Sequence, residues 1–464
     1  MRTKITLILL VCILVGCAKN ADIESVNIPS DPVTQTVLPK ISKDISVLSA
    51  DDAIKVANLF SHGKVLTKSE TLKDVRNVVP IKDASDRTLM YAVNYDDGYA
   101  IVSATKNYHP VLAVVDHGTY TGEKTGTGQD VLMSEYMLAT EAAMDGEISV
   151  DKSVWSEYEE VPFQFTPQTK VSDEYNDVVN QYTGEWYQAG YNIYRLNQKP
   201  ANMPDDMYAE FCDYASDYDR YDHDYMQCSF IIENQLSDYD IVGPLCQTTW
   251  DQLAPYNASL DNTSLALGCT TIAAAQIMKS LQYPSYIAWS LMPNSLSIGQ
   301  TSSVLTLFLA DLREFIGVLN NGSATDAKVK RALEDYYGYN SANGISVNHV
   351  SHSASQVLAS LNRGVPVYMA GLQPSSIYGH AWVCDGYYYS LNQTEYYLYV
   401  IPMGQSPIEE LIMINSASIY NGSLCMFHQN WGWGGQDNGY YMDSNVSTIN
   451  GTYSQSRKDL IINM

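Results

Sequence analysis

The sequence predicts an α+β fold, with a helical half set against an antiparallel-sheet half and a smaller α+β unit in front of both. Three observations carry that reading. Helical spacing of apolar residues dominates the stretch from Cys269 to Tyr337. Strand-like runs dominate the chain beyond Gly364, and an earlier passage from Ser46 to Tyr120 runs from one short helix into several strands. Helices first and antiparallel strands afterwards is the order of an α+β fold built across a cleft.

Residues 1–17 read MRTKITLILLVCILVGC, with Arg2 and Lys4 ahead of an apolar run too short for a typical membrane span. The run ends in Leu14-Val15-Gly16-Cys17, which resembles a bacterial lipoprotein signal. That resemblance implies cleavage before Cys17, lipidation of its thiol, export, and a mature chain held to the membrane by its N-terminal lipid alone. Residues 18–45 are polar and aperiodic and read as a tether. Residues 46–145 read as one α+β unit. ADDAIKVANLF forms an amphipathic helix, strands run over Thr88–Val93, Tyr99–Ser103 and Val111–Val115, and a second helix covers 129–145.

Residues 146–242 carry little periodicity and form an acidic, Tyr/Asp-rich connecting region. Asp217, Asp219, Asp222 and Asp224 could be taken for cation ligands, but their spacing lacks the glycine and closing glutamate of a calcium loop. A solvated, exposed segment is the expectation, with no metal and no cofactor. The last domain covers 243–464. A net charge of −25 argues against nucleic acid and anionic membrane surfaces as partners. Cys212, Cys228, Cys246, Cys384 and Cys425 stand beside Cys269 and imply no disulfide framework.

Chemistry concentrates at GCTTIAAAQIMK, Gly268 to Lys279. Gly268 can take backbone angles closed to other residues, and Cys269 then falls at the first turn of a helix. There the unpaired N–H groups and the helix dipole favour a thiolate, so Cys269 is a candidate nucleophile; the alternative is a small buried hydrophobe. A base would come from His349, His352, His380 or His428. His349 and His352 lie in a polar turn and read as surface residues, while His428 reads as strand core. His380 follows Gly379 at the start of an apolar strand, where a ring can be held rigidly at a cleft edge.

At this point the chain resembles the streptopain-type papain-like cysteine peptidases. GCTTIAAAQIMKSLQYP is similar to their active-site helix, and GPLCQTTWDQLAPYN, Gly243 to Asn257, to the segment that enters it. Gly379-His380-Ala381-Trp382-Val383 is similar to the histidine strand, and Asn430-Trp431-Gly432-Trp433-Gly434-Gly435 to the closing motif. MYAVNYDDGYAIVSATKNYHPVLAVVDHGTY resembles part of their inhibitory propeptide.

The resemblance implies a papain-like fold and an exported cysteine endopeptidase made as a zymogen. Its partners would be protein or peptide substrates and its own propeptide. Cys269 would attack as thiolate, His380 would act as its acid–base partner, Asn430 would orient the far nitrogen of His380, and Trp431 would shield that bond. An inactive surface-binding lipoprotein and a cell-wall amidase are the alternatives. Three features depart from the family pattern. A tyrosine-rich insertion, roughly 388–423, separates His380 from Asn430, so the two can meet only if it leaves the cleft as a hairpin. The oxyanion donor is open among Asn262, Gln252 and Gln247, with Asn262 preferred for nearness. Thr270 and Thr271 stand where small apolar residues are expected. Processing is expected in the acidic tract from Asp205 to Asp240, where an exposed chain can be cut; the cut would leave the propeptide on the membrane of the cell envelope and free the peptidase domain.

Overall fold

The computed structural model describes residues 38–61, 73–160, 191–218, 229–372, 379–400, 412–443, 447–448, 451–452 and 457–464. The signal-like segment, Cys17, most of the tether, and Asp219, Asp222 and Asp224 lie outside them. Among the described residues, no helix is long and apolar enough to cross a membrane.

The expected α+β architecture is the one observed. The N-terminal unit holds α1 (Ala50–Ser61), then β1 (Val75–Lys82), β2 (Thr88–Tyr95), β3 (Tyr99–Ser103), β4 (Val111–Val115) and α2 (Gly128–Met144). A 3-10 turn over Lys152–Tyr158 continues it, because Trp155 and Tyr158 bury against α1 and the sheet. The sequence places two acidic residues in the first turn of α1 and leaves Ala53, Val56, Ala57 and Phe60 on one buried face.

The connecting region is more ordered than its composition suggests. It contains β5 (Asn192–Arg195), α3 (Asp205–Tyr218) and β6 (Ser229–Val242). The expectation of an exposed, unpatterned tract is therefore corrected over 205–218 and 229–240, and residues 219–228 lie outside the described residues. Asp205, Asp206, Asp213, Tyr214 and Asp217 are exposed on α3, while Phe211 and Ala215 pack inward with Leu196, Met203, Ile231, Tyr396 and Leu398.

The C-terminal part supplies α4 (Cys269–Leu281), α5 (Ser303–Ile316), α6 (Asp326–Tyr336), β7 (Ser346–Ser351), α7 (Ala354–Leu361) and β8 (Val367–Leu372). It goes on with β9 (Gly379–Val400), β10 (Ile412–Asn430), β11 (Gly439–Met442), a two-residue pair β12 (Ser447–Thr448) and β13 (Gly451–Thr452), and β14 (Lys458–Asn463). The insertion is the far end of a long hairpin: β9 and β10 pair antiparallel from Asn430↔Val383 out to Ile412↔Val400. β6 lies along the other edge of that extension, from Val242↔Tyr387 to Ser229↔Val400.

One sheet joins both parts of the chain, in the order β1-β2-β3-β4-β11-β10-β9-β8-β14-β7, with β6 and β5 branching from β9. The junction is β4 against β11, Val115↔Gly439 to Ala113↔Tyr441. One face of the C-terminal sheet packs on α4, α5 and α6. The opposite face packs on α2 and α7, so the N-terminal unit contributes to the same core as the strand that carries His380.

Candidate active site

The site is built where the start of α4 meets β9. Gly268 caps α4 with φ 91°, and a Cβ there would lie 2.7 Å from the Gly322 carbonyl, so only glycine makes this entry. The helix that follows is apolar nearly all round, with Ile272, Ala273, Ala274, Ala275, Ile277 and Met278 buried. That fixes its axis and therefore the position of its first residue, Cys269, which remains half-buried.

Cys269 and His380 face each other. Burial pushes the Cys269 thiol up, but the charge and hydrogen bond of His380, with the N–H groups of Ala381 and Thr270, outweigh it and leave the thiol lowered. Burial likewise pushes the His380 imidazole down, and the Cys269 thiolate more than reverses this. The two shifts describe one coupled thiolate–imidazolium pair. On its far side, His380 Nε2 lies 3.3 Å from the Trp431 carbonyl. A carbonyl only accepts, so Nε2 carries a proton and Nδ1 is left for the thiol.

Asn430 does not meet His380. Its register partner on β9 is Val383, three residues further along than His380, and its amide bonds elsewhere. Asn430 Nδ2 donates to the Thr248 carbonyl at 2.8 Å, and Asn430 Oδ1 accepts from Gln276 Nε2 at 3.1 Å and from the Gly432 N–H at 3.3 Å. The orienting role expected of the Asn430 side chain is thus taken by the main chain of the next residue. Trp431 is corrected in the same way. Its ring is fully buried against Trp382 and Tyr441, with the indole N–H on the Asp437 carbonyl, and its contact with His380 is through the backbone.

The oxyanion candidates separate by burial. Asn262 is exposed, and its Oδ1 caps its own turn by accepting from the Ser264 N–H at 3.0 Å. Gln247 is exposed and donates to the Pro244 carbonyl. Gln252 is buried, its carbonyl accepts from the Leu267 N–H at 2.9 Å, and its side-chain Nε2 has no partner among the described residues. Gln252 is tied through its backbone to Leu267, two residues before Cys269, and its buried amide donor is left open, which marks it over Asn262. The Thr270 hydroxyl is also buried without a partner, whereas the Thr271 hydroxyl bonds back to the Leu267 carbonyl.

The other three candidate bases lie beside carboxylates. His428 Nδ1 pairs with Asp385 at 2.6 Å. His352 is buried between Asp459 at 2.9 Å and Asp443 at 3.0 Å, which corrects its reading as a surface residue. His349 is exposed, as its sequence context implied, and lies 3.5 Å from Asp326. Among the described residues there is no cluster of side chains that could hold a metal.

The N-terminal unit reaches this site. Gly128, the first residue of α2, lies so close to Trp382 and Trp431 that a Cβ would come within 2.5 Å and 2.6 Å of their rings. Asp130, in the same first turn, contributes charge at His380. Sequence reasoning missed the Trp431 carbonyl and the partners of Asn430. The available signal was Gln276, a long polar side chain set between Ala273-Ala274-Ala275 and Ile277-Met278.

A thiol and an imidazole paired where a helix start meets an antiparallel strand form the arrangement that cysteine-type peptidase chemistry requires. Parts of the chain are similar to known peptidases and to a protease inhibitor. Residues 285–441 match the model of the peptidase C10 family, a span that takes in His380 and Asn430 and begins past Cys269. Residues 44–139 match that of the Spi protease inhibitor. Streptopain of Streptococcus pyogenes serotype M28 is 24% identical over 45% of this chain and 52% of its own length, so the chain spans about half the length of these curated relatives. The thiol protease/hemagglutinin PrtT of Porphyromonas gingivalis is 26% identical over 41% of this chain and 22% of its own. A solved fragment of Prevotella intermedia prointerpain A aligns over 83% of this chain and 97% of that one, at 15% identity and a TM-score of 0.46.

Proposed function

We propose that the protein is a cysteine endopeptidase made as a zymogen. The observation that carries this is the Cys269–His380 pair, in which the histidine's second nitrogen is tied to the Trp431 carbonyl. Cys269 attacks the scissile carbonyl as thiolate, the His380 imidazolium protonates the leaving amine, and water hydrolyses the thioester. The oxyanion would be received by the Cys269 N–H and the open amide of Gln252.

The zymogen reading is supported by the inhibitor-type match over 44–139 and by α2, whose first turn abuts Trp382 and Trp431. Such a tethered segment blocks at high effective concentration. Export as an envelope lipoprotein through Cys17 rests on the sequence signal alone. Processing would cut between the N-terminal unit and Gly243, outside α3 and outside β6, which pairs on both edges.

Casein hydrolysis by the full chain and by Cys269→Ala, with mapping of new N-termini, tests the proposal. Activity and new termini are expected in the wild type and absent from the variant. Undiminished hydrolysis by Cys269→Ala rejects the nucleophile, and a fully active, uncut wild type rejects the zymogen.

A further inference from the structure

Two side-chain amides lie under the site, and both are buried out of solvent: Gln276 on α4 and Asn430 at the end of β10. Backbone groups whose role is fixed determine how each amide is turned. The Trp250 N–H can only donate, and it lies 3.3 Å from Gln276 Oε1; the Thr248 hydroxyl donates to the same oxygen at 3.1 Å. Gln276 Nε2 therefore faces Asn430, and Asn430 Oδ1 receives it at 3.1 Å. The Thr248 carbonyl can only accept, and it takes Asn430 Nδ2 at 2.8 Å, while the Gly432 N–H donates to Asn430 Oδ1 at 3.3 Å. The network closes with no ambiguity at either amide.

Its position in the chain gives it a consequence for the site. Gln276 lies seven residues after Cys269, close to two full helical turns, so the two share one face of α4. Asn430 and Gly432 flank Trp431, and their mutual hydrogen bond pins the peptide whose carbonyl receives His380 Nε2. The same helix thus carries the nucleophile at its first turn and, two turns on, holds the group that orients the base. From this geometry we infer that Gln276 is a positioning residue. Its hydrogen bond to Asn430 fixes the Trp431 carbonyl relative to Cys269, and so sets how His380 presents its proton to the thiol. This rests on the peptidase reading and adds to it a residue that touches neither substrate nor reacting atoms.

The test follows the thiolate itself. Full-length protein is alkylated with iodoacetamide across a range of pH, and modification of Cys269 is followed by peptide mass spectrometry, which separates it from the other cysteines. Gln276→Met removes all three hydrogen bonds of the side-chain amide at similar volume. Ile277→Ala, on the same helix and equally buried in the helical core, is a destabilised control outside the network. In Gln276→Met the apparent pKa for alkylation of Cys269 is expected to rise by about one unit, roughly a tenfold loss of reactivity on the acid side. In Ile277→Ala the melting temperature falls while the alkylation profile stays where the wild type has it.

Should Gln276→Met fail to fold, Gln276→Glu carries the same test. Its carboxylate keeps the acceptor for Trp250 and Thr248 but cannot donate to Asn430 once ionised, so its profile should also move upward. An unmoved profile in a folded Gln276 variant, or an equal shift in Ile277→Ala, overturns the positioning role and leaves the peptidase reading standing. A wild type whose Cys269 reacts as an ordinary thiol removes both together.

Discussion

His380 and His428 are both buried imidazoles on the β9–β10 ladder, and both are held charged above the usual histidine value against the pull of burial. Their partners differ. His428 pairs with the Asp385 carboxylate, whose other oxygen accepts from the Cys246 N–H, and its ring packs against Tyr440. His380 has a neutral carbonyl on one nitrogen and a thiol on the other. Either a carboxylate or a carbonyl can orient an imidazole through one nitrogen; what sets His380 apart is the Cys269 thiol on its other nitrogen, to which a proton can pass. The lesson is that burial and a raised pKa do not mark a base; the partner does.

Substitution should pull the two histidines apart. Cys269→Ala is expected to abolish peptide hydrolysis, and His380→Ala to remove about 10²–10⁴ of turnover, read as casein hydrolysis. His428→Ala should keep turnover in the folded fraction but lose about 3–5 kcal/mol of stability in denaturant melts, because it strands Asp385 as an unpaired buried charge. Comparable inactivation in folded His428→Ala protein would dissolve the distinction. Next in size, Gln252→Ala should cost about 10²–10³ in kcat with little change in KM, the signature of a lost oxyanion donor.

Much of this contrast was legible in the sequence. The glycine-to-cysteine entry into an alanine-rich helix made Cys269 a candidate nucleophile, and Gly379 before an apolar strand made His380 a candidate base. The family resemblance chose between the alternatives, and the structure brings the two residues together. What could not be read was register. Asn430 looked like the orienting residue by motif order, yet the ladder sets it opposite Val383, and the contact passes to a backbone carbonyl that sequence pattern does not reveal. His352 looked exposed because polar neighbours surround it in the chain. The carboxylates that bury it, Asp443 and Asp459, arrive from strands about a hundred residues away. Ordering of the 205–242 region was hidden for the same reason: β6 is a strand because β9 extends beside it.

His352 yields a smaller, pH-dependent effect. Burial pulls its pKa down, and the hydrogen bonds of Asp443 and Asp459 raise it above 6.5 overall. Its contribution is therefore complete below about pH 6.5 and is lost as pH rises through the raised folded value. Burial pushes Asp443 up, but Arg457 and His352 hold it at about 2, so its share is present above 3.8 and lost as pH falls through about 2. Arg457 also faces Glu135 of α2 at 3.6 Å, which ties the N-terminal unit into this cluster. The full chain should melt higher near pH 5 than near pH 8.5, and His352→Asn should narrow that gap by a few degrees. An unchanged gap in the variant would assign the pH dependence to other groups.

The central claim is that His380, and not His428, makes Cys269 a thiolate. The most direct measurement is the pH dependence of iodoacetamide alkylation at Cys269 in the wild type, His380→Asn and His428→Asn, followed by peptide mass spectrometry. The wild type should react well into the acid range, His380→Asn should shift toward the reactivity of an ordinary thiol near about pH 8.5, and His428→Asn should superimpose on the wild type. A profile that stays in place without His380, or moves in folded protein without His428, would contradict the account.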